Sequence, residues 1–306
     1  ADVPLGVFLS GGIDSSLIVA LMQRLSTNKI KTFSIGFNEK SFNEAFFASK
    51  IASHLNTEHN ELYVTSNDAL DIIPHLSKIY DEPFSDVSQI PTFILSRLAK
   101  EKVSVALTGD GGDEVFGGYN RYKYGSSIYR NFQNIPAPLI NVTKSISNLV
   151  PNMIYNGISK LTGISETKEK FQKIIDIINC DNPQNLYKAI ISNYSNANEC
   201  VLLTDENEYN SYPHLEILES LSLEEQMMFW DLTSYLPNNI LVKLDRAAMS
   251  NSLETRAPFL NHEVVEYGFN LPLNLKINKG ESKWILKQLL FKYIPRLGLE
   301  NIGNLH

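Results

Sequence analysis

Cysteine is nearly missing from this chain: two of 306 residues, Cys180 and Cys200. Two thiols without metal-type spacing argue against a cysteine zinc site and a disulfide scaffold, and they suit a reducing compartment. Basic residues are also short, 27 Lys and Arg against 34 Asp and Glu, for a net charge of −7. That balance argues against a nucleic-acid-binding surface. No apolar run approaches the roughly 20 residues of a membrane span, and no signal-like stretch opens the chain. The expectation is a cytoplasmic protein with neither nucleic acid nor membrane as partner. What remains is ordinary for a globular chain, 43% hydrophobic and 20% charged, and the length suits one large domain or two modest ones. The chain lacks an initiator Met and starts a few residues before its first apolar run, as an excised domain would. Gly298 to His306 is polar and weakly patterned, which reads as a frayed or cut end.

The first 120 residues alternate between strand and helix patterns. Strands are predicted at Leu5–Leu9, Lys31–Phe37, Glu58–Val64 and Val103–Leu107. Helices are predicted at Ser15–Leu25, Asn43–Leu55, Ala69–Ile79 and Pro91–Glu101; Pro74 would kink the third, and Pro91 suits a first turn. Repeated β-α units imply a parallel sheet with helices on both faces. From 121 to 306 strand signals fade, and helical periodicity recurs around Lys168–Asn179, Leu223–Leu236, Val264–Phe269 and Lys283–Tyr293. That half is expected to be mostly helical and to pack on the 1–120 core. Asn193 to Asn198 reads as a loop.

The chemistry concentrates at two strand ends. Ser10-Gly11-Gly12-Ile13-Asp14-Ser15-Ser16 follows the first strand and opens the first helix. Glycines let the backbone approach a ligand closely, and a helix N-terminus offers free N–H groups to a phosphate. Serine hydroxyls can donate to the same oxygens. A carboxylate at Asp14 would repel phosphates unless Mg²⁺ lay between them. No Gly-Lys-Ser/Thr follows, so this is not a Walker A loop. Thr108-Gly109-Asp110-Gly111-Gly112-Asp113-Glu114 follows the fourth strand, with three acids that repel one another unless a cation sits among them. Asp113 opposite Asp14 would supply two carboxylates to a metal–phosphate cluster. The plain alternative for each loop is a capped turn.

Three further segments stand out. Thr32 to Phe37 ends the second strand and can offer backbone groups to a purine. Lys283, within Gly280 to Lys287, reads by default as a solvated surface lysine; at the start of an apolar helix it can instead point into a cleft to neutralise phosphoryl charge. Leu244 to Met249 and Glu254 to Leu260 set charges among apolar residues: Asp245, Arg246, Glu254 and Arg256 read as buried, and buried charges need partners. Asp245 and Arg246 are expected to be structural, while Glu254 and Arg256 stand open between structural pair and substrate contact.

The first loop resembles the PP-loop, Ser-Gly-Gly-x-Asp-Ser, of the ATP pyrophosphatase superfamily, whose members cleave ATP between the α and β phosphates. Together with Thr32 to Phe37, Asp81-Glu82-Pro83-Phe84, Thr108 to Gly118, Leu244 to Leu260 and Ser282 to Lys287, it resembles the synthetase domain of asparagine synthetase B. β-Lactam synthetase is similar but more distant. The resemblance covers most of the chain, is patchy from about 125 to 220, and is lost after Pro295. It implies an adenine-nucleotide alpha-hydrolase-like α/β fold. It implies that Ser10, Gly11, Gly12, Asp14 and Ser15 bind ATP phosphates and pyrophosphate, and that Leu9, Ile35 and Gly109 contact the nucleoside. Asp14 and Asp113 would hold Mg²⁺. Lys283 would stabilise the α-phosphate during adenylation, and Asp110, shorter than the Glu of some members, would handle incoming ammonia.

The implied reaction is that of an AMP-forming carbon–nitrogen ligase, with aspartate and ATP giving β-aspartyl-AMP and ammonia then displacing AMP. A helical wall over the strand ends would shield the intermediate from water. Relatives carry an N-terminal glutaminase with Cys first. This chain begins with Ala1, so ammonia is expected from a domain missing here or from solution. A homodimer is a further expectation. The rival readings are an enzyme adenylating another carboxylate, such as a sugar acid in surface polysaccharide synthesis, a non-catalytic nucleotide-binding module, and a PP-loop enzyme modifying tRNA.

Overall fold

The computed structural model describes residues 2–38, 44–132, 177, 180–192 and 216–295. By its contacts the chain divides into two units, Ala1–Gly118 with Asp231–His306, and Tyr119–Trp230.

The first unit opens with β1 (Leu5–Phe8), α1 (Ile13–Leu25), β2 (Lys31–Phe37), α2 (Ala45–Leu55) and β3 (Glu58–Val64). Next come α3 (Ser66–Ile72) and α4 (Leu76–Tyr80), joined by a tight turn at Ile73–His75. Pro74 sits in that turn; its missing N–H and its ring break the helix there, which splits the one predicted helix in two. The segment closes with α5 (Gln89–Lys100), β4 (Val105–Leu107) and α6 (Gly112–Phe116).

In the second unit the described elements are α7 (Asn120–Phe132), α8 (Pro183–Ile191), a short turn at Glu216–Ser220 and α9 (Leu223–Trp230). No strand occurs among its described residues. The predicted helix at Lys168–Asn179 lies outside the described residues except for Ile177, and the Asn193 to Asn198 loop, Cys200 and Gly298 to His306 lie outside them entirely.

The chain then returns to the first unit. Asp231–Leu241 winds in wider, π-type turns around Pro237. It is followed by α10 (Val242–Met249), β5 (Glu254–Arg256), α11 (His262–Asn270), α12 (Leu273–Lys276) and α13 (Trp284–Leu290). β5 was not foreseen: three residues are too short to show a period.

All five strands are parallel, in the order β3-β2-β1-β4-β5. β1 alternates its side chains between two layers. Val7 and Leu9 join a core with α1, α2 and α13, whereas Phe8 joins Phe33, Ala99, Ala106 and Leu244 on the other face. The predicted α/β sheet with helices on both faces is therefore present. The chain leaves β1 toward β2 and β3, then crosses back to place β4 on the opposite side of β1. That reversal is a topological switch point, where the loops after two neighbouring strands part and leave a crevice at their carboxyl ends.

Candidate active site

Both glycine loops open at that switch point. Val7 pairs with Leu107, so Ser10 to Gly12 and Thr108 to Gly112 leave adjacent strands at nearly the same level. Contact is close. A Cβ on Gly109 would lie 3.0 Å from Asp14 Cβ, and one on Gly112 would lie 2.6 Å from Asp14 Cγ. Bare glycines thus let the second loop seat against the start of α1.

The first loop is held from within. Gly11 has a positive φ of 86°, and a Cβ there would lie 2.9 Å from the Ala48 backbone nitrogen of α2. The Gly12 N–H donates to Ser10 Oγ at 3.1 Å, and the Ser10 and Ser15 hydroxyls lie 3.0 Å apart. Ser16 N–H makes an α-type bond back to Gly12 C=O at 3.1 Å. The amides of Ile13, Asp14 and Ser15 precede that bond, and it is such first-turn amides that can serve an anion. Ser10 is exposed and Ser15 buried, so the serine pair spans the loop from solvent to core.

Lys283 completes the arrangement. Its Nζ donates to Asp14 Oδ2 and lies 2.7 Å from Asp113 Oδ1. Lys283 and Asp14 are both buried, each 8% exposed. Burial alone would lower the lysine pKa; the two carboxylates outweigh it and hold the group well above its usual range, so it stays an ammonium. The lysine sits just before α13 in a left-handed conformation, φ 52°, which a non-glycine residue holds only when its surroundings fix it. Leu286 and Leu290 anchor α13 in the core shared with α1. Gly118 gives the group its room, since a Cβ there would fall 1.8 Å from Asp113 Oδ1 and 2.2 Å from Lys283 Cε.

The three acids of the second loop do not share one cation. Asp113 meets Lys283, Glu114 is buried at 1% exposure, and Asp110 is half-buried. Asp110 precedes α6, whereas Asp113 and Glu114 are successive residues on it and so point different ways. Burial pushes the Asp110 carboxyl up, Thr108 and Lys243 oppose that, and Asp113 adds to it. Leu9, 1% exposed, packs its side chain into the core, and its N–H donates to Phe33 C=O. Ile35 lies two residues past that level and is partly buried against the core cluster that holds Val64, Tyr80 and Ile94.

The Asp245, Arg246, Glu254 and Arg256 charges are a correction. Arg246 pairs with Asp245 at 3.6 Å and Arg256 with Glu254 at 2.7 Å, all four side chains more than half exposed. β5 is an edge strand, and α10 turns Leu244, Ala247 and Ala248 inward instead. Exposed pairs of this kind contribute little to stability.

Sequence reasoning also missed a polar cluster. Lys243 Nζ lies 3.2 Å from Asp86 Oδ2 and donates to Ser88 Oγ at 2.8 Å. Ser88 N–H and Oγ both donate to Asp86 Oδ1. The local Asp-x-Ser turn is legible in sequence, but its cation comes from a helix far along the chain. Among the described residues, no group of three or more His, Cys, Asp and Glu is placed to hold a metal. The two carboxylates that converge on one ammonium, Asp14 and Asp113, do suit Mg²⁺, which takes one or two carboxylates together with substrate phosphates.

The chain is 30% identical over 295 residues to asparagine synthetase [glutamine-hydrolyzing] 1 of Bacillus subtilis, covering 96% of this chain and 45% of that one. It is 32% identical over 302 residues to a putative asparagine synthetase of Mycobacterium bovis, covering 96% and 43%. A putative asparagine synthetase of Methanocaldococcus jannaschii is 34% identical over 257 residues, covering 81% and 46%. The chain spans less than half the length of these relatives. A family model described as asparagine synthase matches residues 1–301, and with nearly its whole length so matched the chain belongs to the asparagine synthase family.

Proposed function

We propose that this chain is an ATP-dependent, amide-forming synthetase unit that adenylates the side-chain carboxylate of aspartate. The observation that carries the reading is the Lys283 ammonium, held at the meeting point of the two glycine loops by Asp14 and Asp113. Two glycine loops and one lysine around the phosphates can serve attack at the α-phosphorus with pyrophosphate expelled into the first loop, and the family match supports that choice over γ-phosphate transfer. The names of the relatives support aspartate as the acid.

Ser10, Ser15 and the amides at the start of α1 bind the leaving pyrophosphate. Leu9, Ile35 and Gly109 line the nucleoside side through their backbones. Asp14 and Asp113 are the residues that would hold Mg²⁺, which supplies charge neutralisation to the departing phosphates. A carboxylate oxygen attacks the α-phosphorus, the bond to the bridging oxygen breaks, and pyrophosphate leaves; Lys283 compensates charge developing on the α-phosphoryl oxygens. Ammonia nitrogen then attacks the acyl carbon, AMP departs, and the surplus proton passes to a base. We assign that base to Asp110, whose carboxyl is raised by burial. The ammonia source and the glutaminase partner follow from the relatives' names and are part of the proposal.

The test is ATP–pyrophosphate exchange over a panel of carboxylic acids, with and without ammonium. Exchange that requires aspartate, and asparagine formed only when ammonium is added, is the expected outcome. Exchange with a different acid and none with aspartate would overturn the substrate assignment.

A further inference from the structure

Lys283 stands where the metal of the proposed reaction belongs. Its ammonium contacts both carboxylates that would ligate Mg²⁺, and its Cε packs where a side chain on Gly118 would stand. An ammonium and a divalent cation cannot share a point between two carboxylates 2.7 Å or less from it. We propose that Lys283 is a built-in stand-in cation, which neutralises the Asp14–Asp113 pair before nucleotide arrives and is exchanged for Mg²⁺ when metal and nucleotide enter together.

The inference rests on the metal role of Asp14 and Asp113 in the reading above and adds an order of events to it. Two carboxylates facing one another in a buried crevice would otherwise repel. The lysine removes that repulsion and keeps the two loops in register. It also withholds the pair from free Mg²⁺, which must overcome the ammonium and its own dehydration together. Phosphates tip the exchange by offering the metal further ligands and the displaced ammonium a new anion. The event that seats the metal therefore releases Lys283 toward the α-phosphoryl group, so its catalytic charge is delivered only to a loaded site. The long, flexible lysine stem permits that swing about a fixed backbone.

The experiment needs neither nucleotide nor turnover. Mn²⁺, as the probe, is titrated into nucleotide-free protein and the free ion followed by electron paramagnetic resonance. Wild type should show weak binding at this site. Lys283→Met and Lys283→Gln should each bind one Mn²⁺ about tenfold or more tighter, and adding Asp113→Asn to either should remove the gain. Circular dichroism checks that each variant is folded. Variants that fold and bind Mn²⁺ no tighter than wild type would overturn the proposal. Should neither fold, wild-type protein supplies the answer through reductive methylation read by mass spectrometry. Mg²⁺ raised until the weak wild-type site is filled, as read by its displacement of Mn²⁺, should raise labelling of Lys283 several-fold, and unchanged labelling at that occupancy would overturn the exchange. Failure of aspartate in the pyrophosphate assay would leave this result standing, because no substrate enters the titration.

Discussion

At the scale of single residues, glycines decide what the site can hold, and they do so for different reasons. Gly11 is needed for its backbone: φ is 86°, and a Cβ would press on the Ala48 main chain. Gly11→Ala should lower stability by about 1–3 kcal/mol, since neither the dihedral nor the neighbouring main chain can yield cheaply. Gly118 is needed for empty space, because its virtual Cβ meets only side-chain ends, Asp113 Oδ1 and Lys283 Cε. Gly118→Ala should change stability by less than ~1 kcal/mol, as those ends can swing away, yet lower pyrophosphate exchange by about 100-fold. Urea unfolding and the exchange assay on the same preparations separate the two cases. A large stability loss at Gly118 would mean that the Lys283 group is a structural strut.

At the scale of elements, α13 matters most. It is only seven residues long, and its position comes from packing, with Leu286 5% and Leu290 1% exposed in the core built around α1. Short helices owe their stability to such contacts. Leu290→Ala should destabilise the protein by about 2–5 kcal/mol in urea unfolding. Because the helix begins one residue after Lys283, the surviving folded fraction should also exchange pyrophosphate more slowly. The four long β-α elements were legible in the sequence because their apolar residues keep a regular period. β5 was not, since Glu254, Thr255 and Arg256 have no apolar pattern and are a strand only because β4 offers them an edge.

At the scale of the whole molecule, acid sensitivity follows from groups shifted in the folded state. His59, on β3, shares its ring nitrogens with the Thr32 hydroxyl at 2.9 Å and the Ser34 hydroxyl at 3.1 Å. Burial lowers its pKa below 6.5, and Glu61 only partly offsets this. Protons therefore bind the unfolded chain first as pH drops. The stability His59 supports is intact above pH 6.5 and declines as pH falls toward its folded value. Asp86 adds a second decline below its ordinary 3.8: burial would raise its pKa, and Ser88 with Lys243 outweigh that. Stability measured against pH should fall in two stages, and His59→Gln should flatten the upper one. An unchanged upper stage in that variant would assign it to another group.

Residues 1–120 alone specified four parallel strands, two glycine-rich loops at their ends and the acids on them, because strand period and turn chemistry are local. The identity of the charges in the crevice was a different matter. Asp14, Asp113 and Lys283 were each singled out, but nothing in their spacing says that one ammonium bridges both carboxylates. That contact depends on β4 crossing back beside β1 and on α13 packing against α1, two long-range events driven by apolar burial. For the same reason Asp245, Arg246, Glu254 and Arg256, which read as buried among apolar neighbours, stand on an edge and an outer helix face. Local sequence sets which chemistry each segment carries; the order of strands in the sheet decides which of those chemistries meet.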